Sequence, residues 1–180
     1  MLDLDSLPGD DLAVNLADTV LLATSPSIDL LDDGHARFWS AQASRLPAGA
    51  RPPSAEQTRR LRSAVREVLE AAVAAREPEA WAVERVNAAA AAVPASPRLT
   101  ARGVDMIWHG EDGGEIALAA VAVATIDLVS GPRAERLRRC GAHDCSMLFV
   151  AANSRRVWCT PSLCGNRVRV ARHAKKGLES

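Results

Sequence analysis

The four cysteines of the chain, Cys140, Cys145, Cys159 and Cys164, all fall in one stretch near its C-terminal end. Four residues separate the members of each pair and thirteen separate the pairs, which reads as two short knuckles joined by a loop. Zinc takes four tetrahedral ligands, and structural sites draw them from thiolates carried in close pairs. Two pairs complete that shell and leave no open position for water or substrate, so the expected cofactor is one structural Zn²⁺. Disulfides, scattered buried thiols and a redox couple fit less well. Disulfides need an oxidising compartment, and a redox couple favours Cys-x-x-Cys beside a βαβ pattern, which is absent. His143 lies inside the first knuckle and is the one alternative ligand.

The residues flanking the fourth cysteine suggest how it is held. Pro161-Ser162 reads as a helix start with Ser162 as N-cap. Cys164 would then sit in the first turn, where free N–H groups and the helix dipole favour a thiolate. Gly165 would let the backbone approach a sulfur closely, and Asn166 would brace the knuckle. Arg167 would contact the thiolates, face a ligand or stay solvated. The helix carries Arg167, Arg169, Arg172, Lys175 and Lys176, and the preceding loop carries Arg155 and Arg156.

Cys164-Gly165-Asn166-Arg167, preceded by Leu148-Phe149 and Trp158-Cys159, resembles the CGNR zinc finger that closes a family of bacterial proteins. That family is described as candidate stress-induced transcription regulators with an N-terminal ABATE domain. The resemblance implies a domain over residues 1–131 and a finger with a basic helix over residues 132–180.

Charge divides the chain in the same place. Residues 1–130 hold 11 basic and 19 acidic side chains, a balance of −8, whereas residues 131–180 hold 11 and 3, a balance of +8. Four thiolates around zinc would add −2 to the second part and still leave it cationic. A basic module of this kind seeks an anion.

The N-terminal part reads as mainly helical, an α+β fold overall with a short hairpin or strand. Asp10-Asp11 opens a helix with Leu12, Leu16, Thr19, Val20 and Ala23 at helical spacing. A second helix over about 35–46 carries Phe38 and Trp39. Ser54 and Gln57 fit a capping box that starts a third, running to about Arg76. Its apolar face is Leu61, Ala64, Val65, Val68 and Leu69, and Arg59, Arg60, Arg62 and Arg66 are expected on a solvated face. Pro78 suits the start of a fourth helix. Residues 99–108 read as a short strand, 109–114 as a turn, and 115–129 as an almost wholly apolar central helix stopped by Gly131-Pro132. A short helical continuation over 133–139 leads into the first knuckle with Leu137 inward.

Asn15, Asp18 and Thr19 resemble a polar pair followed by Thr near the start of ABATE regions. They either cap helices and bond between them or, with Trp39, line a candidate ligand pocket.

No phosphate-binding glycine loop, His-Glu-x-x-His or Gly-x-Ser-x-Gly occurs, so an enzyme is not expected. No run reaches the ~20 apolar residues of a bilayer span, and the first residues lack a secretory pattern. A cytoplasmic location and no membrane partner are therefore expected. Two functions remain: a DNA-binding regulator, with a homodimer doubling its contacts and the N-terminal part as sensor or oligomerisation unit, or a zinc-stabilised protein-interaction module. A small-molecule effector is left open.

Overall fold

The computed structural model describes residues 4, 7 and 11–171, the side chain of Leu163 excepted. The order is α1 (Leu12–Ala17), β1 (Val20–Leu21), β2 (Ile28–Asp29), α2 (Leu31–Gln42), α3 (Ala55–Val73), α4 (Ala80–Ala92), β3 (Ala95–Thr100), β4 (Gly103–Trp108), α5 (Gly113–Ser130), β5 (Leu137–Arg139) and β6 (Leu148–Val150). A helical segment over 166–171 closes the described chain. The strands form three separate antiparallel pairs, β1-β2, β3-β4 and β5-β6.

Local signals set the helix ends. Asp11 caps α1 by accepting from the Ala13 and Val14 N–H groups, and the Ser54–Gln57 capping box at α3 is complete in both directions. Each satisfies donors that a helix N-terminus leaves without partners. Helix α1 is shorter than its periodicity predicts, because Asp18 ends it and Val20–Leu21 leaves as a strand. Helix α2 begins at Leu31, so Asp32 and Asp33 sit in its first turn instead of before it. Asp29, at the end of β2, accepts from the Leu31 N–H and so satisfies the first donor of the helix.

The segment read as one strand is a hairpin. Ala101 and Arg102 form its turn, followed by Gly103 at φ 129°, a backbone region open to glycine alone. The turn expected at 109–114 spans residues 109–112, and its last two expected residues, Gly113 and Gly114, already open α5 behind the N-cap Asp112. Helix α5 is long and apolar enough to span a bilayer by composition, but more than half of it is buried within the protein. It packs against α1, α3 and α4 as the central helix. Residues 134–136 form a single 3₁₀ turn, and Leu137–Arg139 is a strand, not a helical continuation. Leu137 does face inward, at 2% exposure.

The largest departure is on α3. Arg62 and Arg66, expected on a solvated face, are 7% and 6% exposed. Arg62 forms a two-pronged pair with Asp29, at 2.6 and 2.8 Å, and Arg59 adds a third contact to the same carboxylate. Burial alone would raise the Asp29 carboxyl, but the two guanidinium groups and the Leu31 N–H hold it down at about 2. Stability from this pair is therefore present above pH 3.8 and lost as pH falls through about 2. Asp29→Asn is expected to cost about 2 kcal/mol at neutral pH, less than a fully buried pair because the carboxylate keeps some solvent. The loss should shrink as the pH approaches 2. Denaturant unfolding at both pH values checks this, and an equal loss at each would contradict it.

Candidate metal centre

The first knuckle is the turn of the β5-β6 hairpin, whose register pairs Leu137 with Val150 and Arg139 with Leu148. Chain direction reverses between Cys140 and Cys145, and the Cys140 N–H donates to Met147 O at 2.9 Å, closing the turn. The second knuckle carries Cys159 and Cys164. Residues 161–165 wind as a wide helical turn, and Cys164 N–H donates to Thr160 O at 2.9 Å. Ser162 is thus not an N-cap, and Cys164 sits at the end of this wide turn, directly before the helix over 166–171.

All four sulfur atoms lie within 4.8 Å of one another, and all four residues are buried. Cys145 to Cys159 is 3.7 Å and Cys159 to Cys164 is 3.5 Å. A zinc ion with bonds of ~2.3 Å to four sulfurs places neighbouring sulfurs ~3.8 Å apart. The donor set therefore fits one tetrahedral structural zinc. Electrostatics agree. Hydrogen bonds from Cys145 and Cys159 pull the Cys140 thiol well below the usual thiol range. The bond to Cys140 in turn pushes Cys145 up, and bonds to Cys140 and Cys145 push Cys159 up. Thiols this crowded cannot all ionise beside one another without a cation to neutralise them.

His143 takes no part. Its side chain is 96% exposed, and its nearest charged partner is Asp144 at 3.7 Å. Arg167, left open between three roles, is placed: it pairs with Asp144 at 3.0 Å and points Nη2 at the Cys164 sulfur from 3.6 Å. Gly165 has a different reason from the one expected. A Cβ there would lie 2.8 Å from Trp158 Cδ1, so glycine makes room for the indole and not for a sulfur. Asn166 accepts from Arg169 at 3.3 Å.

The basic residues assigned to nucleic-acid contact divide. Arg155, Arg167 and Arg169 are exposed. Arg156 lies over the Phe149 ring, 4.8 Å from its centre, and donates to the Trp158 and Cys159 carbonyls, so it braces the finger's own fold. Arg172, Lys175 and Lys176 lie outside the described residues.

Beside the sulfurs stands a set of contacts that the sequence does not announce. Both carboxylate oxygens of Asp18 sit 3.0 Å from the Leu148 N–H. Arg66 Nη1 is 3.5 Å from Asp18 and donates to Ala17 O, Nη2 donates to Ser146 O at 2.7 Å, and Nε donates to Glu70. Ser146 follows a zinc ligand directly, so one guanidinium ties α1 and α3 to the first knuckle. The visible signal was spacing: Thr58, Arg62 and Arg66 form an i, i+4 stripe next to the apolar stripe of Leu61, Val65 and Leu69.

Asn15 and Trp39 are also interior. Asn15 donates to Gln42 at 3.1 Å, and the Trp39 indole N–H lies 3.2 Å from His35 and 3.3 Å from Thr58. With Asp18, these residues are 0–1% exposed. Asn15 and Trp39 thus bond between helices, to Gln42 and Thr58.

Comparison with known families agrees with this geometry. No curated protein matches the chain. The CGNR zinc finger pattern matches residues 136–176, which contain all four sulfur ligands and Arg167. The ABATE pattern, described as "Putative stress-induced transcription regulator", matches residues 10–132, which is more than half of the chain. The chain therefore belongs to the ABATE family and ends in a CGNR zinc finger.

Proposed function

We propose that the protein is a regulator that binds duplex DNA through its finger, with the N-terminal bundle as the part that senses or assembles. The observation that supports this most is the direction of the closing helix. It starts at the residue after Gly165, anchored to the metal by Cys164, and along 166–171 only Val168 is partly covered. Arg167 is held beside the zinc shell by Asp144 and the Cys164 sulfur, Arg169 is exposed two residues on, and Arg172, Lys175 and Lys176 follow in sequence. Arg155 adds an exposed charge from the loop.

Contacts of this kind neutralise phosphates and release counterions, so binding should weaken steeply with salt. Replacing Arg155 and Arg169 together with Ala is expected to lower the log–log salt slope by about 1.8, or about 0.9 for each phosphate no longer neutralised. Zinc content and melting temperature should not change. Arg156→Ala should instead lower stability, because it removes the cover over Phe149. Fluorescence anisotropy on duplex DNA across a salt series is the measurement. Absence of binding at low salt, or an unchanged slope in the double variant, would favour the protein-interaction reading.

A further inference from the structure

The β3-β4 hairpin stands apart from the core with one apolar face. Its register pairs Ala95 with Trp108, Pro97 with Met106 and Leu99 with Val104, and side chains two apart share a face. The opposite face is polar except for Ile107 near the root, with Arg98 directly across from Asp105. Only the root of the apolar face is covered, where Trp108 packs beside Val93 and Ile116. Toward the tip Leu99, Val104 and Met106 are 84%, 66% and 51% exposed. A lone two-stranded hairpin is marginal in water, and an uncovered apolar face makes it more so.

The same chain carries a matching recess. A cleft of about 230 Å³ with almost wholly apolar walls opens between α3, α4 and α5, lined by Val68, Pro78, Val83, Val86, Ile126 and Val129. Its rim residue Val83 is 36% exposed. The hairpin is rooted at the Gly113 end of α5, and the cleft begins near Thr125, roughly 18 Å along the helix at 1.5 Å per residue. Hairpin tip and cleft are both open to solvent within one copy.

We propose that a second copy of this chain covers the hairpin, each copy seating its Leu99–Val104 tip in the other's cleft. Two observations favour a second copy over a different partner. The hairpin carries one charge in excess, Arg102 at its turn beside the Arg98–Asp105 pair, and Glu77 and Glu79 flank the cleft residue Pro78, so charge as well as the apolar complement is matched on the same polypeptide. Area argues for exchange over simple stacking of two hairpins. Six residues at ~3.3 Å rise on two strands ~4.8 Å apart present a footprint of only about 200 Å². A standard interface buries about 800 Å² per partner. Reciprocal seating uses hairpin and cleft from both copies and so doubles that footprint to about 400 Å² per copy, the scale of a weak, transient interface, and it closes with two-fold symmetry instead of extending into a filament.

The test is the mass of the zinc-loaded full chain by sedimentation equilibrium up to about 100 µM, enough to fill a micromolar association. The expected result is a dimer. Leu99→Glu in the hairpin and Val83→Glu at the cleft should each give a monomer, with melting of the helical signal unchanged because both residues are surface-exposed. Mixing the two variants should partly restore the dimer, since one hairpin–cleft contact remains intact in the mixed pair. A monomeric wild-type chain would overturn the proposal. So would a dimer that survives Val83→Glu while Leu99→Glu dissociates it, which would mean that the hairpins stack on each other.

Discussion

Stripping zinc from the full chain is expected to unfold the finger and to weaken the helical bundle with it. The finger's buried cluster is Cys140, Ala142, Cys145, Met147, Phe149, Ala151, Cys159 and Cys164, so half of it consists of the ligands themselves. Removing the ion takes away the centre of that core and leaves crowded thiols competing for protons. Structural zinc contributes on the order of 10 kcal/mol or more, against about 5–15 kcal/mol for the stability of a whole domain. The loss does not stop at the finger. Leu137, Leu148 and Val150 belong to the same buried cluster as α1, α3 and α5, and the Leu148 N–H holds Asp18.

Hydrogen exchange after chelation should therefore show loss of protection at the amides of Leu148 and Ala151 first, followed by faster exchange in α1. Cys159→Ser should reproduce the effect without chelator. Zinc affinity should also fall as pH is lowered, because protons compete with the ion for the thiolates. Metal analysis should give one equivalent per chain. Unchanged protection at Leu148 after zinc removal would contradict the shared core.

Arg66→Ala is expected to have the second largest effect. The side chain is 7% exposed and touches Asp18, Glu70 and the carbonyls of Ala17 and Ser146. Deleting it leaves the buried carbonyls of Ala17 and Ser146 and the Asp18 carboxyl short of a donor, and at about 1–3 kcal/mol for each unsatisfied buried group the change costs about 3–5 kcal/mol. Lysine should not rescue it, because an ammonium lacks the planar fork that reaches several acceptors at once.

Asp18 supplies a pH signature that simple loss of packing would not. Its complete burial pushes the carboxyl up to about 8, against the Leu148 N–H and the Arg66 guanidinium, which both lower it. The folded chain then holds a proton that the unfolded chain releases above 3.8. Stability contributed by Asp18 should accordingly fall as pH rises from about 4 to about 8. Asp18→Asn, which cannot ionise, should lose that slope. Denaturant midpoints of both proteins across this range decide the matter, and parallel curves would count against a raised Asp18.

Charge composition suggested two separate parts, an acidic bundle and a basic finger. Spatially they are joined, because Leu137, Leu148 and Val150 fill the bundle's core and Arg66 reaches the first knuckle. Net charge reports surface residues, whereas the joint is made of a few buried ones, and their number is too small to change the balance.

Features set by near neighbours were legible in the residues alone. The metal ligands follow from two short spacings, the start of α3 from Ser54 and Gln57 three apart, and α5 from a continuous apolar run. Each depends on chemistry within one or two turns of chain. Only the folded protein decided that Arg62 and Arg66 are interior, that Asp18 serves a partner 130 residues away, and that the segment before α5 doubles back as a hairpin. The reason is physical: a stripe of arginines beside an apolar stripe is equally compatible with solvent or with a buried carboxylate. The choice depends on which distant acceptors the rest of the chain brings there.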